Sequence, residues 1–283
     1  MAILVTGANG QLGSALLRRL GPTCIPCDRQ FMNLSDPMEV EARIADLKPS
    51  VVINCAAYTH VDLAESNIDC CMKTNADVVL NLSKACTKYD LVFVQISTDY
   101  VFGGNLSRRF AYEEMDVPMP INTYGHSKLA GEQNAAVCRK HFIVRTCGLY
   151  GISNHSVNFV EKMLTLSQTQ DRLRVVCDQH CSPTFVDELA DAILFLTETS
   201  RYGLYNIVNT TPATWFEFAL EILRQSNISI PVDPIKSHEF QTAAARPRYS
   251  VLDTTKYQSL GGPVMSDWRT ALAKYLVQRK EIM

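Results

Sequence analysis

Tyr124 and Lys128 stand four residues apart in the run Tyr124-Gly125-His126-Ser127-Lys128, a spacing that puts both side chains on one face of a helix. An ammonium group beside a phenol lowers the phenol pKa from its ordinary value of about 10, so the phenol can exchange a proton nearer neutral pH. The same lysine can hold a ribose hydroxyl. Upstream, Ser97-Thr98-Asp99-Tyr100 closes an apolar run, and a Thr98 hydroxyl there could bind a reacting carbonyl oxygen. A tyrosine and a lysine at this spacing are usually a solvated surface pair. Here they follow a strand-end hydroxyl and a glycine-rich turn, and that company favours acid–base chemistry.

The turn is Gly7-Ala8-Asn9-Gly10-Gln11-Leu12-Gly13, directly after the apolar run Ala2–Thr6. Glycines let a backbone turn sharply and approach a pyrophosphate, while the helix that follows supplies N–H donors and positive dipole charge. Asp28 ends the next apolar run, about 20 residues further on, where an acid accepts from an adenosine ribose. Arg29 follows it and could face a 2′-phosphate. The acid favours NADH and the arginine NADPH, so the pair leaves both open. As a solvated charge, each is also unremarkable.

The elements that must position these groups alternate. Ala2–Thr6, Thr23–Cys27, Val51–Cys55, Leu91–Ser97 and Phe142–Thr146 read as strands covered on both faces. Gln11–Leu20, Pro37–Leu47, Met72–Tyr89 and Tyr124–Arg139 have helical period, with Asp36 as an N-cap and Pro37 in a first turn. The pattern predicts an α/β fold of Rossmann type, a doubly wound parallel sheet with a smaller C-terminal substrate lobe. Residues 1–150 are expected to form the dinucleotide-binding domain, with 183–203 packing back on it, and 151–283 the substrate lobe. In the later part Asn158–Gln168, Asp187–Thr199, Trp215–Gln225 and Asp267–Arg279 read as helices and Leu204–Val208 as a strand, around a proline-rich stretch through Pro231, Pro234 and Pro247.

Composition narrows the partners. With 27 Lys+Arg against 29 Asp+Glu in 283 residues, the net charge is −2, which offers no field for nucleic acid or an anionic membrane surface. No stretch approaches the roughly 20 apolar residues of a membrane span. The N-terminus carries no basic leader, so a cytoplasmic protein is expected. Cys55, Cys86 and Cys147 sit in apolar runs and read as small core residues. Cys24-x-x-Cys27 and Cys177/His180/Cys181 lack a second pair at zinc-like spacing, so no zinc or redox role is expected. His126 should face solvent if Tyr124 and Lys128 face a site. Trp215, beside Phe216 and Phe218, reads as core packing before base stacking, and His155 lies in a Ser/Asn-rich loop over the expected cleft.

Taken together the chain resembles the extended short-chain dehydrogenase/reductases, and within them the dTDP-4-dehydrorhamnose reductase branch. The resemblance is carried by VTGANGQLG from Val5, VINCAAYTHVDLAES from Val52, STDYVFGG from Ser97, YGHSKLAGE from Tyr124, DQHCSPTFVDELAD from Asp178 and AARPRYSVLDT from Ala244. These run nearly end to end. The resemblance implies that Tyr124 donates a proton to C4 of a 4-keto-6-deoxy sugar, that Lys128 supports it and that Thr98 orients the carbonyl, with hydride from NADPH or NADH. It implies Gly7, Gly10, Gln11, Leu12, Gly13, Asp28, Arg29, Asn33, Leu34, Ala56, Ala57, Tyr58, Tyr124 and Lys128 around the cofactor. Thr98, Asp99, Tyr100 and Gly148 would line the sugar. Arg246 would meet the nucleotide diphosphate through its guanidinium fork, though a bland reading leaves it a solvated loop charge. The expected reaction is reduction of dTDP-4-dehydro-L-rhamnose to dTDP-L-rhamnose by a monomer or homodimer.

Two departures bear on that expectation. The family often carries Trp after Arg-Thr-Ser against the sugar, whereas this chain reads Arg145-Thr146-Cys147-Gly148. An absent ring removes apolar contact and admits a different nucleotide-linked 4-ketosugar as substrate. Some relatives help bind Mg2+ at a dimer contact through a Glu two residues past the third glycine. Ala15 stands there, leaving Asp187 and Glu188 as oxygen ligands and weakening the case for the ion. A third reading is a non-catalytic regulatory subunit, since the methionine adenosyltransferase β subunit resembles this family too. The intact Thr98, Tyr124 and Lys128 argue against it.

Overall fold

The computed structural model describes residues 2–153 and 158–282. The chain begins β1 (Ile3–Thr6), α1 (Gln11–Leu20), β2 (Cys24–Cys27), α2 (Pro37–Leu47) and β3 (Val51–Asn54). Short helices α3 (Val61–Ala64) and α4 (Ile68–Met72) follow, then α5 (Val78–Lys88), β4 (Val92–Thr98), α6 (Thr123–Ala135) and β5 (His141–Thr146). The later part holds β6 (Leu149–Tyr150), α7 (Phe159–Thr169), β7 (Leu173–Val176), β8 (His180–Cys181), β9 (Thr184–Phe185), α8 (Val186–Thr197) and β10 (Gly203–Asn206). It closes with β11 (Ala213–Thr214), α9 (Trp215–Gln225), β12 (Val232–Ile235), α10 (Thr255–Gln258) and α11 (Trp268–Ile282).

Six strands form a wholly parallel sheet in the order β10-β5-β4-β3-β1-β2. Chain progress therefore runs outward from β1 in both directions, and the order reverses between β1 and β3. Open sheets bind ligands at such a reversal, beyond the carboxyl ends of the strands. The inner strands are mostly apolar because both faces are covered. On one, Val5, Ile53, Val94 and Val144 meet Leu16 of α1 and Leu189 and Ile193 of α8. On the other, Leu4, Val52, Phe93 and Ile143 meet Val40 of α2 and Val79 and Leu82 of α5. Each such side chain, wholly buried, contributes roughly 1.5–3 kcal/mol.

A separate core joins α7, α9 and α11 through Val160, Phe218, Ile222, Trp268, Leu272 and Tyr275. Three short strand pairs, β6 with β9, β7 with β12 and β8 with β11, stitch this part together. The expected strands and helices lie within a few residues of those found, and Asp36 caps α2 by accepting from Met38 and Glu39 N–H. Two boundaries need correction. Helix α6 stops at Ala135, not Arg139. The helix expected over Met72–Tyr89 starts earlier, at Ile68, and carries a π-helical turn over Lys73–Asp77. The proline-rich stretch contains β12 with Pro234 inside it. Pro234 is tolerated because β12 pairs only with β7 and so has a free edge. Among the described residues no helix is long and apolar enough to cross a membrane.

Candidate active site

Where β1 ends, Gly7 adopts φ +62°, and a Cβ on it would lie 2.6 Å from the Ala56 nitrogen. A Cβ on Gly13 would lie 2.3 Å from the Gly7 carbonyl oxygen. Only glycine fits either place, and the turn is closed by the Gly10 N–H donating to Gly7 O at 3.0 Å. Gly10 caps α1 without a side chain, and no acidic residue stands in the first turn. The N–H groups of Gln11 and Leu12 thus end a helix whose positive pole lacks a counter-charge, a fit for a pyrophosphate. Ala56, Ala57 and Tyr58 run alongside, after β3, with the Tyr58 N–H fixed by Asn75 Oδ1 at 2.8 Å.

Asp28 and Arg29 are exposed at the end of β2. Asp28 Oδ1 accepts the N–H groups of Phe31 and Gln30 at 3.0 and 2.9 Å, and these bonds hold its carboxyl below the usual range. The charged form, which a ribose hydroxyl needs as acceptor, is therefore secured. Asn33 is exposed and Leu34 half-buried on the following loop, with Leu34 O accepting from Asn81.

The second cluster gathers at the ends of β4 and β5 and the start of α6. Thr98 and Thr146 are direct neighbours in register. Thr98 Oγ1 donates to Asp99 Oδ1 and accepts the Tyr100 N–H, both at 3.2 Å. Helix α6 comes close because Gly125 has no side chain: a Cβ there would sit 2.2 Å from Tyr100 O. Asn122 caps this helix by accepting the Gly125 N–H at 2.7 Å. Glu65 adds a second anchor, accepting from the Thr123 N–H at 2.9 Å and its hydroxyl at 3.1 Å. The Tyr124 and Tyr100 rings then meet edge to face at 5.9 Å.

Tyr124, Lys128 and Glu132 recur at i, i+4 and i+8 along one face of α6. Lys128 is 3% exposed and donates to Ile96 O at 2.6 Å. Burial lowers its pKa to about 8 against an opposing pull from Glu132. The expected lowering of the Tyr124 phenol is not found. Burial pushes it above its ordinary value, and the Thr98 hydroxyl only partly offsets this. Spacing placed the two side chains on one face, but in this structure the ammonium is spent on a backbone carbonyl and desolvation dominates.

Other expected residues have protein partners of their own. Asp99 is 2% exposed, with its carboxyl accepting from Ser250 Oγ at 2.5 Å. Burial lifts it to about 6. Its carboxyl is held by the Thr98 and Ser250 hydroxyls. Arg246 forks onto Asp62 at 2.7 and 3.0 Å, and also contacts the Tyr100 hydroxyl. It is not a free loop charge: its guanidinium already holds a carboxylate. Asp187 is taken by Arg18, Arg19 and Gln278, and Glu188 by Asn209, Ser266 and Lys274. Both acids are thus engaged by cationic side chains and hydrogen-bond donors. His126 is exposed, and His155 lies outside the described residues.

Several residues of this constellation were not singled out from sequence. Glu132 accepts from Ser97 Oγ at 2.6 Å and is forked by Arg145 at 2.8 and 2.7 Å, with both partners nearly inaccessible. Its signal was a further step of four from Lys128. Asn75, in the π-helical turn, bonds Tyr58 and the Ser127 hydroxyl. Asp62 and Glu65, both within the quoted VDLAES stretch, have no local signal, because their partners lie 184 and 58 residues away. Thr146 Oγ1, beside Thr98, is buried and makes no hydrogen bond among the described residues.

Comparison with known proteins places the whole chain in a family. Residues 1–281 match the family described as RmlD substrate binding domain. A dTDP-4-dehydrorhamnose reductase of Streptomyces griseus is 37% identical over 282 residues, 96% of this chain and 91% of its own. The structure of a dTDP-4-dehydrorhamnose reductase from Clostridium acetobutylicum superposes with a TM-score of 0.95 at 37% identity, covering 99% of this chain and 100% of that one. A Bacillus anthracis enzyme of the same name, solved in complex with NADP, gives 0.93 at 38% identity over 98% of this chain and 100% of that one.

Proposed function

The chain belongs to the RmlD family, and from that premise we propose that it is an NAD(P)H-dependent oxidoreductase acting on a dTDP-linked ketosugar. The reaction is reduction of the C4 ketone of dTDP-4-dehydro-L-rhamnose to dTDP-L-rhamnose. The observation that carries the reading is the convergence of Thr98, Tyr124 and Lys128 beside a glycine turn that leaves an uncapped helix terminus for a pyrophosphate. The nicotinamide supplies the hydride when bound. Gly7, Gly10 and Gly13 let the backbone approach its pyrophosphate, Gln11 and Leu12 present N–H groups, and Asp28 accepts from the adenosine ribose.

At the reacting end, Thr98 holds the ketone oxygen by its hydroxyl. Tyr124 gives that oxygen its proton. The raised phenol pKa suits this direction of reaction, because the donor stays protonated throughout the neutral range. Lys128, held near 8, would hold the nicotinamide ribose and replenish the phenol's proton through its hydroxyl. Tyr100 and Arg246 meet the nucleotide side, with Asp62 keeping the guanidinium plane oriented until the diphosphate arrives. We place the enzyme in the cytoplasm, a reducing compartment in keeping with its ten free cysteines.

Turnover of dTDP-4-dehydro-L-rhamnose by the wild type and by Tyr124→Phe tests the reading. The variant is expected to lower kcat by about 10²–10⁴ while NADPH affinity holds. Near-wild-type turnover would remove Tyr124 from the role of acid.

A further inference from the structure

Beyond β5 the chain turns through Gly148 at φ +50°, and a Cβ built there would lie 3.1 Å from Cη2 of Trp215 and 3.8 Å from its Cζ3. The six-membered ring of the indole therefore occupies the space that a side chain at 148 would take. Trp215 is brought there by three constraints. Strand β11 pairs Ala213 with Cys181 and Thr214 with His180, next to Pro183, whose Cα also closes on Gly148 at 3.4 Å. Thr214 and Glu217 form a reciprocal capping box that fixes the first turn of α9. Phe159 packs on the indole with ring centroids 4.7 Å apart.

Gly148 lies two residues past Thr146, the register partner of Thr98, so the indole borders the reacting end of the cleft. The chain's other tryptophan, Trp268, is 1% exposed in the core, whereas Trp215 is half-buried and keeps part of its surface open. On the strand that leads to Gly148, the Thr146 hydroxyl is buried without a partner among the described residues. A partly open apolar ring on the loop that follows the Thr98–Thr146 pair matches a sugar, which offers C–H groups and a deoxy methyl on one side and hydroxyls on the other.

We propose that Trp215 is the aromatic wall against which the pyranose of the substrate packs, standing in from α9 for the side chain that Gly148 lacks. This rests on the reductase reading. The substitution of one wall by another keeps the apolar contact and moves its origin from the β5 loop to the small core. Sugar preference is then set by an indole whose position depends on Phe159 and on the absence of a side chain at 148.

Tryptophan emission tests this without turnover. The chain has two tryptophans, and Trp268 is sealed from solvent. Titration of the wild type with dTDP-L-rhamnose in the presence of NADP+ should change the emission saturably, and Trp215→Phe should abolish that change. In steady state, Trp215→Ala should raise KM for the ketosugar roughly tenfold, with Trp215→Phe intermediate and KM for NADPH unaltered. Should Trp215→Ala not fold, Trp215→Phe and the emission carry the test. Calorimetric binding of dTDP-L-rhamnose to the wild type with unchanged emission would overturn the assignment of Trp215 alone. Absence of any such binding would overturn the reductase reading and this inference with it.

Discussion

Lys128 is the residue on which two opposing forces set the chemistry. Burial strips water from its ammonium and brings the pKa down to about 8, while the Glu132 carboxylate, together with Cys55 and Cys71, pulls the other way. The group is charged at neutral pH and loses its proton as pH rises through that value. Ketone reduction consumes a proton, so kcat/KM should hold level through neutral pH and fall above about pH 8. A profile flat to pH 10 would show that Lys128 does not feed the reaction. The Tyr–Lys spacing was legible in the sequence because it depends only on helical geometry. The direction of the phenol shift was not, because desolvation depends on which elements close over Tyr124. The same holds for Arg246, whose partner Asp62 is remote in sequence.

Helix α6 shows why an element can be found and still be bounded wrongly. Its inward face buries Ser127, Lys128 and Glu132 in place of an apolar stripe, so hydrophobic periodicity gives no clear end. What fixes it is the buried fork between Arg145 of β5 and Glu132, with Ser97 of β4 bonded to the same carboxylate. Glu132→Gln should leave the Arg145 charge uncompensated in the interior and cost about 3–5 kcal/mol, read as a lower urea midpoint. In whatever fraction remains folded, loss of the carboxylate beside Lys128 should also move the alkaline fall of kcat/KM to lower pH. An unchanged midpoint would mean that the fork adds nothing to stability. The π-helical turn before α5 has no sequence mark either, although it is the turn that aims Asn75 at Tyr58 and Ser127. Such turns are rare insertions that cluster at functional sites.

At the scale of the whole molecule, the sheet was the readable part. Buried parallel strands are continuous apolar runs, and alternation with helices leaves few topologies once crossovers are right-handed. The later part was harder, since its strand pairs are two to four residues long and its core is closed by contacts between distant helices, such as Phe218 against Trp268. That part matters because it brings Trp215 against Gly148 after β5 and Arg246 against Asp62 and Tyr100 after β4. The account therefore requires one ligand to span both. Its most direct test is oxidation of NADPH and NADH, followed at 340 nm, with dTDP-, GDP- and UDP-linked 4-keto-6-deoxy sugars. The account predicts fast oxidation with dTDP-4-dehydro-L-rhamnose, yielding dTDP-L-rhamnose, and a clear loss of kcat/KM with the other two. Intact cofactor binding without oxidation on any of the three would contradict it.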